Sequence, residues 1–157
     1  MFFISPTYGK ISLHELTDKI QNFIKEDPKA KYKVVIGTDS QTTNRSTIFV
    51  TALIIHRIGK GAQFYYKKLR FKPILQLHNR IYKETDLSLQ LIEILKKRGI
   101  INLLTEWPLE IHLDIGQQGE TRQLIQEVVG WVTSVGYVAK IKPNSYGASS
   151  VADKFTY

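Results

Sequence analysis

The stretch Lys33–Gln41, KVVIGTDSQ, decides how the rest of the chain is read. Val34, Val35 and Ile36 show no alternation of apolar and polar residues, the pattern of a strand buried on both faces. The run passes through Gly37 and ends on a single carboxylate, Asp39, among small polar residues. An acid at the carboxyl end of a core strand has two explanations. It can open a turn bonded to its own backbone, or it can be a functional group raised on a rigid support.

Working outward, Ser12–Glu15 has capping-box spacing, a hydroxyl followed three residues later by a carboxylate. It predicts a helix whose Leu13, Leu16, Ile20, Phe23 and Ile24 share one stripe, stopped near Pro28. After the opening strand, Thr47–Arg57 (TIFVTALIIHR) is apolar on both faces and predicts a central strand. A turn at Ile58–Gly61 leads into a third strand, Ala62–Lys72. There Lys68, Arg70 and Lys72 share one face, and Tyr65, Leu69 and Phe71 the other. A long helix, roughly Leu75–Arg98, precedes a fourth strand at Leu109–Gly116. A helix from near Gly119 to Gly136 and a fifth strand, Tyr137–Lys142, follow. These elements describe a mixed α/β fold: a five-stranded sheet flanked by helices, with an extra N-terminal helix. The 157 residues contain no repeat or linker and are read as a single domain.

The chain has no cysteine, no signal-peptide pattern and no apolar run of membrane-spanning length, so the expected location is the cytoplasm. The formal charge of +8 is unevenly placed. Ser40–Lys83 contains no acid but nine basic residues: Arg45, Arg57, Lys60, Lys67, Lys68, Arg70, Lys72, Arg80 and Lys83. Such a segment is either an ordinary solvated face or a seat for a polyanion.

Asp39 has two candidate companions. Asp114, in HLDIG, also follows an apolar strand and precedes a glycine-containing loop. Glu84 falls on the helical stripe of Leu77, Ile81, Ser88, Leu91 and Leu95, where a carboxylate must be paired, protonated or bound to a cation. Each has a purely structural explanation: a turn at Asp39, a loop cap at Asp114, an i,i+4 pair between Arg80 and Glu84. Together they have another. Carboxylates that converge repel one another unless a cation sits among them, and Mg²⁺ or Mn²⁺ suits an all-oxygen donor set. Two such ions about 4 Å apart can activate water and stabilise the leaving oxygen in phosphodiester cleavage. Ser40, Gln41 and His112 are placed to orient such ligands. Glu110 and His112 alternate with Asp114 along a strand face expected to be solvated or supporting. Thr121 and Arg122, at a helix start, suit a phosphate, and Lys140 and Lys142 form a basic edge. No Walker-type or dinucleotide-binding glycine pattern is present.

The order of strands, helices and acids resembles the ribonuclease H-like fold, and more closely the YkuK family of bacterial ribonuclease H-like proteins. The resemblance runs through ISPTYG (4–9), IGTDSQ (36–41), FVTALIIHRIGKGA (49–62), RIYKET (80–85), HLDIG (112–116), GETR (119–122) and KPNSYGASSVADKFT (142–156). It implies that Asp39 is the first-strand metal-bridging carboxylate, Glu84 the helix acid and Asp114 the fourth-strand acid. It adds Asp153, the only acid after Glu127, as a fourth ligand. The implied activity is a nuclease using two Mg²⁺ or Mn²⁺ ions on RNA, DNA or their hybrid, with Lys68, Arg70, Lys72, Arg80, Lys83, Arg122, Lys140 and Lys142 as nucleic-acid contacts. Ser40 and Gln41 stand where ribonucleases H carry a glycine, and no basic protrusion lies between Glu84 and Asp114; both weigh against a hybrid substrate. Two other functions fit the same residues: a nucleic-acid-binding or adaptor protein without turnover, and a phosphoesterase for small phosphodiesters.

Overall fold

The computed structural model describes residues 1–100, 107–116, 122–142 and 144–145. Within them the chain forms β1 (Phe2–Ser5), β2 (Gly9–Ser12), α1 (Leu13–Glu26), β3 (Tyr32–Thr42), β4 (Thr47–Arg57), β5 (Gly61–Phe71), α2 (Leu77–Lys97), β6 (Leu109–His112), α3 (Arg122–Ser134) and β7 (Val138–Lys140). The strands make one mixed sheet in the order β2-β1-β5-β4-β3-β6-β7. β4, the strand apolar on both faces, lies at its centre. β3, β4 and β5 form an antiparallel meander, while β6 and β7 run parallel to β3.

The sheet has seven strands rather than the five read from the sequence, because β1 and β2 form an N-terminal hairpin that docks on β5. Four residues each, they carry too little periodicity to be recognised alone. The Ser12 capping box is formed as expected: Ser12 Oγ accepts the Glu15 N–H at 3.1 Å, and Glu15 Oε1 accepts the Ser12 N–H at 3.2 Å. At the β4–β5 turn, Gly59 and Gly61 adopt positive φ (78° and 104°), which a side chain would resist.

All three described helices contribute to one core cluster. Leu16 and Ile20 of α1, Leu91, Ile92 and Leu95 of α2, and Val128 and Val132 of α3 meet Val34, Ile36, Leu53, Ile55, Tyr65 and Ile111 of the sheet. The odd-numbered residues of β3 face the other way. Val35, Val50, Ala52 and Ile54 form a second buried cluster there, joined by Ile48, Phe64 and Tyr66. The central strands are therefore apolar on both faces because both faces are packed.

Candidate active site

β3 does not end at Asp39. The ladder continues through Ser40, Gln41 and Thr42, with Asp39 opposite Val50 and Thr42 opposite Thr47. The sequence placed the acid at a strand end because the side chains turn polar there, but ladder hydrogen bonds are made by the backbone whatever the side chains are. A short turn at 43–46 and a 2.7 Å bond between the Thr42 and Thr47 hydroxyls hold the extension together. Asp39 therefore projects from a fixed strand, its Oδ1 accepting the Ser40 N–H at 2.9 Å.

What ends near Asp39 is the neighbour. β6 pairs with β3 only from Val34↔Leu109 to Gly37↔His112. Beyond Gly37 the flank of β3 is no longer covered by β6, and the chain leaves β6 through Leu113 and Asp114. A narrow cleft results, lined by Thr38, Ile81, Glu84, Thr85, Ser88, His112, Leu113 and Asp114.

Helix α2 is pinned beside this cleft by a buried hydroxyl chain. Thr38 Oγ1 lies 2.9 Å from Thr51 Oγ1 on β4 and 2.8 Å from Ser88 Oγ on α2. One turn before Ser88, Glu84 reaches Ser40, whose hydroxyl donates to Glu84 Oε2 at 2.5 Å. Burial pushes the Glu84 carboxyl up to about 8, and the charges of Asp39 and Asp114 push in the same direction. The Ser40 bond and the Arg80 charge oppose this without reversing it. Asp39 and Asp114 thus both stand near enough to Glu84 for their charges to be felt there, Asp114 lining the cleft with Glu84 and Asp39 lying outside that lining.

Asp114 is held by Lys142, with Nζ 2.7 Å from Oδ1. The bond, together with the nearby Asp39 and Glu84 charges, raises the Lys142 ammonium above its ordinary value. The sequence assigned Lys142 to a nucleic-acid edge. Its partner Asp114 lies 28 residues away, and nothing local in the sequence announces the pair.

Glu110 and His112 are not a solvated face. They are 7% and 2% exposed, because this side of the sheet is packed. Lys33 Nζ bonds Glu110 Oε2 at 3.0 Å, and His112 Nε2 lies 3.3 Å from Glu110 Oε1. Burial holds the imidazole below its usual range; burial also pushes Glu110 up, but the bonds from Lys33 and His112 outweigh it and hold that carboxyl below its usual range. His112 borders the cleft. Gln41 pairs with Ile48 in the strand extension.

The basic residues fall into distinct positions. Lys68 and Arg70 are exposed and stand opposite Val50 and Ile48, which stand opposite Asp39 and Gln41. Directly paired residues project to one side of a sheet. Lys68 therefore shares the Asp39 face at about 10 Å, two strand spacings away. Lys72, just past β5, is exposed as well. Lys83 lies over the Phe71 ring, 4.8 Å from its centroid, and Arg80 sits one turn before Glu84 on α2. Lys140 pairs with His112 on the edge strand β7, and Arg122 opens α3. Asp153 and Thr121 lie outside the described residues.

The family model named Ribonuclease H-like matches residues 15–157. The chain belongs to the ribonuclease H-like family. It is also 35% identical over 165 residues to the uncharacterized protein YkuK of Bacillus subtilis strain 168, a match covering 98% of this chain and 96% of that protein. No solved structure gives a significant match. For a ribonuclease H-like chain the test is whether its acids suit a hard cation. Glu84 carries a carboxyl on which the charges of Asp39 and Asp114 act, and carboxylate oxygens are the ligand type that hard divalent ions take. Among the described residues, however, no three His, Cys, Asp or Glu side chains are grouped so as to hold a metal ion. Glu84 turns instead to Ser40, and Asp114 to Lys142. No described helix is long and apolar enough to cross a membrane.

Proposed function

We propose that the chain is a divalent-metal-dependent nuclease that hydrolyses phosphodiester bonds of nucleic acid. One observation carries this: Glu84 on α2, at the cleft where β6 leaves β3, lies within the fields of both Asp39 on β3 and Asp114 after β6, and their charges add to burial in raising its proton affinity. Asp39, Glu84 and Asp114, with Asp153 by resemblance, would hold two Mg²⁺ or Mn²⁺ ions. When bound, such ions supply an activated water and charge neutralisation at the leaving oxygen.

The chain's own residues do the rest. The backbone ladder of β3 fixes Asp39, and the Ser40 hydroxyl and the Thr38–Ser88 bond orient α2 so that Glu84 faces the cleft. Lys68 and Arg70, on the face of Asp39, hold flanking phosphates and carry the salt-dependent part of the affinity. In the reaction water adds to phosphorus and the P–O3′ bond breaks, with no covalent enzyme intermediate.

The absence of a metal-ready trio among the described residues favours a second reading, a nucleic-acid-binding protein of the same fold without turnover. One assay separates the two. Intact protein and Asp39→Asn are incubated with single-stranded, duplex, hybrid and branched substrates, with Mg²⁺, Mn²⁺ or a chelator. A nuclease cleaves at least one substrate only with metal, and the variant loses cleavage while keeping binding. Binding without cleavage under every condition would overturn the nuclease.

A further inference from the structure

We propose that Lys142 is the resident cation of the carboxylate cluster, and that a divalent ion must displace its ammonium from Asp114 in order to bind. The inference rests on the metal-site reading above but concerns a residue that reading does not use.

The placement of Lys142 is set by the backbone. Leu113 N–H donates to the Lys140 carbonyl at 2.9 Å, and Lys142 N–H donates to the Ile115 carbonyl at 2.9 Å. These two bonds bracket Asp114 and continue the parallel β6–β7 pairing past the end of both strands. They lay the segments side by side, so that Lys142 Nζ comes within 2.7 Å of Asp114 Oδ1. The following turn is closed by Asn144 and Ser145 N–H groups bonded to the Ile141 carbonyl at 2.8 and 3.0 Å. The stem is therefore anchored. The head is bonded to Asp114 but faces solvent, since the side chain is 58% exposed.

The ammonium bonded to Asp114 also lies within the fields of Asp39 and Glu84. It neutralises part of the negative charge around Asp114. A dication approaching Asp114 competes for the same oxygen and repels the ammonium at close range. A lysine head on a flexible stem can leave. Once displaced it stays tethered at the cluster's rim, where an entering phosphate supplies a new anionic partner. Lys142 thereby links metal entry to substrate capture.

The test is calorimetric Mn²⁺ titration of the intact protein, Lys142→Met, Lys142→Gln and Asp39→Asn, with thermal melts in chelator and in excess Mn²⁺. Methionine keeps the length of the stem and removes the charge; glutamine guards against a packing artefact of either variant. Both Lys142 variants are expected to bind Mn²⁺ roughly tenfold more tightly, a change of the size usual for coupling between two binding events. They should also melt lower in chelator and gain more from Mn²⁺ than the intact protein does. Equal or weaker Mn²⁺ binding by both Lys142 variants, with binding lost in Asp39→Asn, would overturn the role of Lys142 and leave the metal site standing. No Mn²⁺ binding by any of the four proteins would overturn both.

Discussion

Glu84 offers the sharpest physical test, because its environment makes stability depend on pH in an unusual direction. In an unfolded chain its carboxyl ionises near 4.5; in the fold burial and the neighbouring acids hold it protonated up to about 8. Below about pH 4.5 it is protonated in both states and contributes no pH dependence. As pH rises from there towards 8, the unfolded chain gives up the proton and the folded chain keeps it. Unfolding is then progressively favoured, and the stability enjoyed at low pH is lost. At about 1.4 kcal/mol for each pH unit, tapering as each state reaches its own midpoint, the loss between pH 5 and pH 8 comes to roughly 3.5 kcal/mol. For a chain of this size that lowers the melting temperature by about 7–14 °C. Glu84→Gln keeps the shape and the bond to Ser40 but cannot ionise. Melts of intact protein and variant across pH 5–8 in chelator should therefore diverge, the variant becoming the more stable at pH 8. Saturating Mn²⁺ should flatten the intact protein's profile by stabilising the ionised carboxylate, and leave the variant's unchanged. Parallel profiles in chelator would refute the claim that Glu84 is buried beside two like charges.

Other consequences are independent of that one. Ser88→Ala removes one partner of Thr38 while Thr51 remains, so urea denaturation should show a loss of about 1 kcal/mol. The same change should weaken Mn²⁺ binding, since Ser88 fixes the turn that carries Glu84. Ser12→Ala breaks the capping box of α1 and should cost about 1 kcal/mol with no effect on metal affinity. Replacing Lys68 and Arg70 together by alanine should weaken nucleic-acid binding at low salt. It should also make the slope of log affinity against log salt shallower by roughly 1.4–1.8, as expected for two lost phosphate contacts.

Much of this architecture can be read from residues alone, where local pattern and tertiary environment agree. TIFVTALIIHR is apolar on both faces because β4 lies at the centre of a sheet packed on both sides. The Ser12–Glu15 spacing announced the start of α1 because both partners of a capping box are local. Glu84 stood out as an acid on an apolar stripe, and it is indeed partly buried with a shifted carboxyl. What could not be read depends on contacts remote in sequence. β1 and β2 exist through pairing with each other and with β5, not through their own four-residue patterns. The buried Glu110 is paired by Lys33, some 77 residues earlier in the chain. Thr38, Thr51 and Ser88 looked like ordinary hydroxyls until β3, β4 and α2 brought them together. The pairing of Asp114 with Lys142 depends on the β6–β7 register, which neither segment encodes by itself.

The central claim is that Asp39, Glu84 and Asp114 jointly receive a divalent ion. Anomalous diffraction from crystals grown with Mn²⁺ tests it most directly. The account predicts an anomalous peak within coordinating distance of Asp39 and Asp114, with Glu84 turned from Ser40 towards it and Lys142 withdrawn. Mn²⁺ absent from this corner at saturating concentration, with the Lys142–Asp114 bond intact, would contradict it.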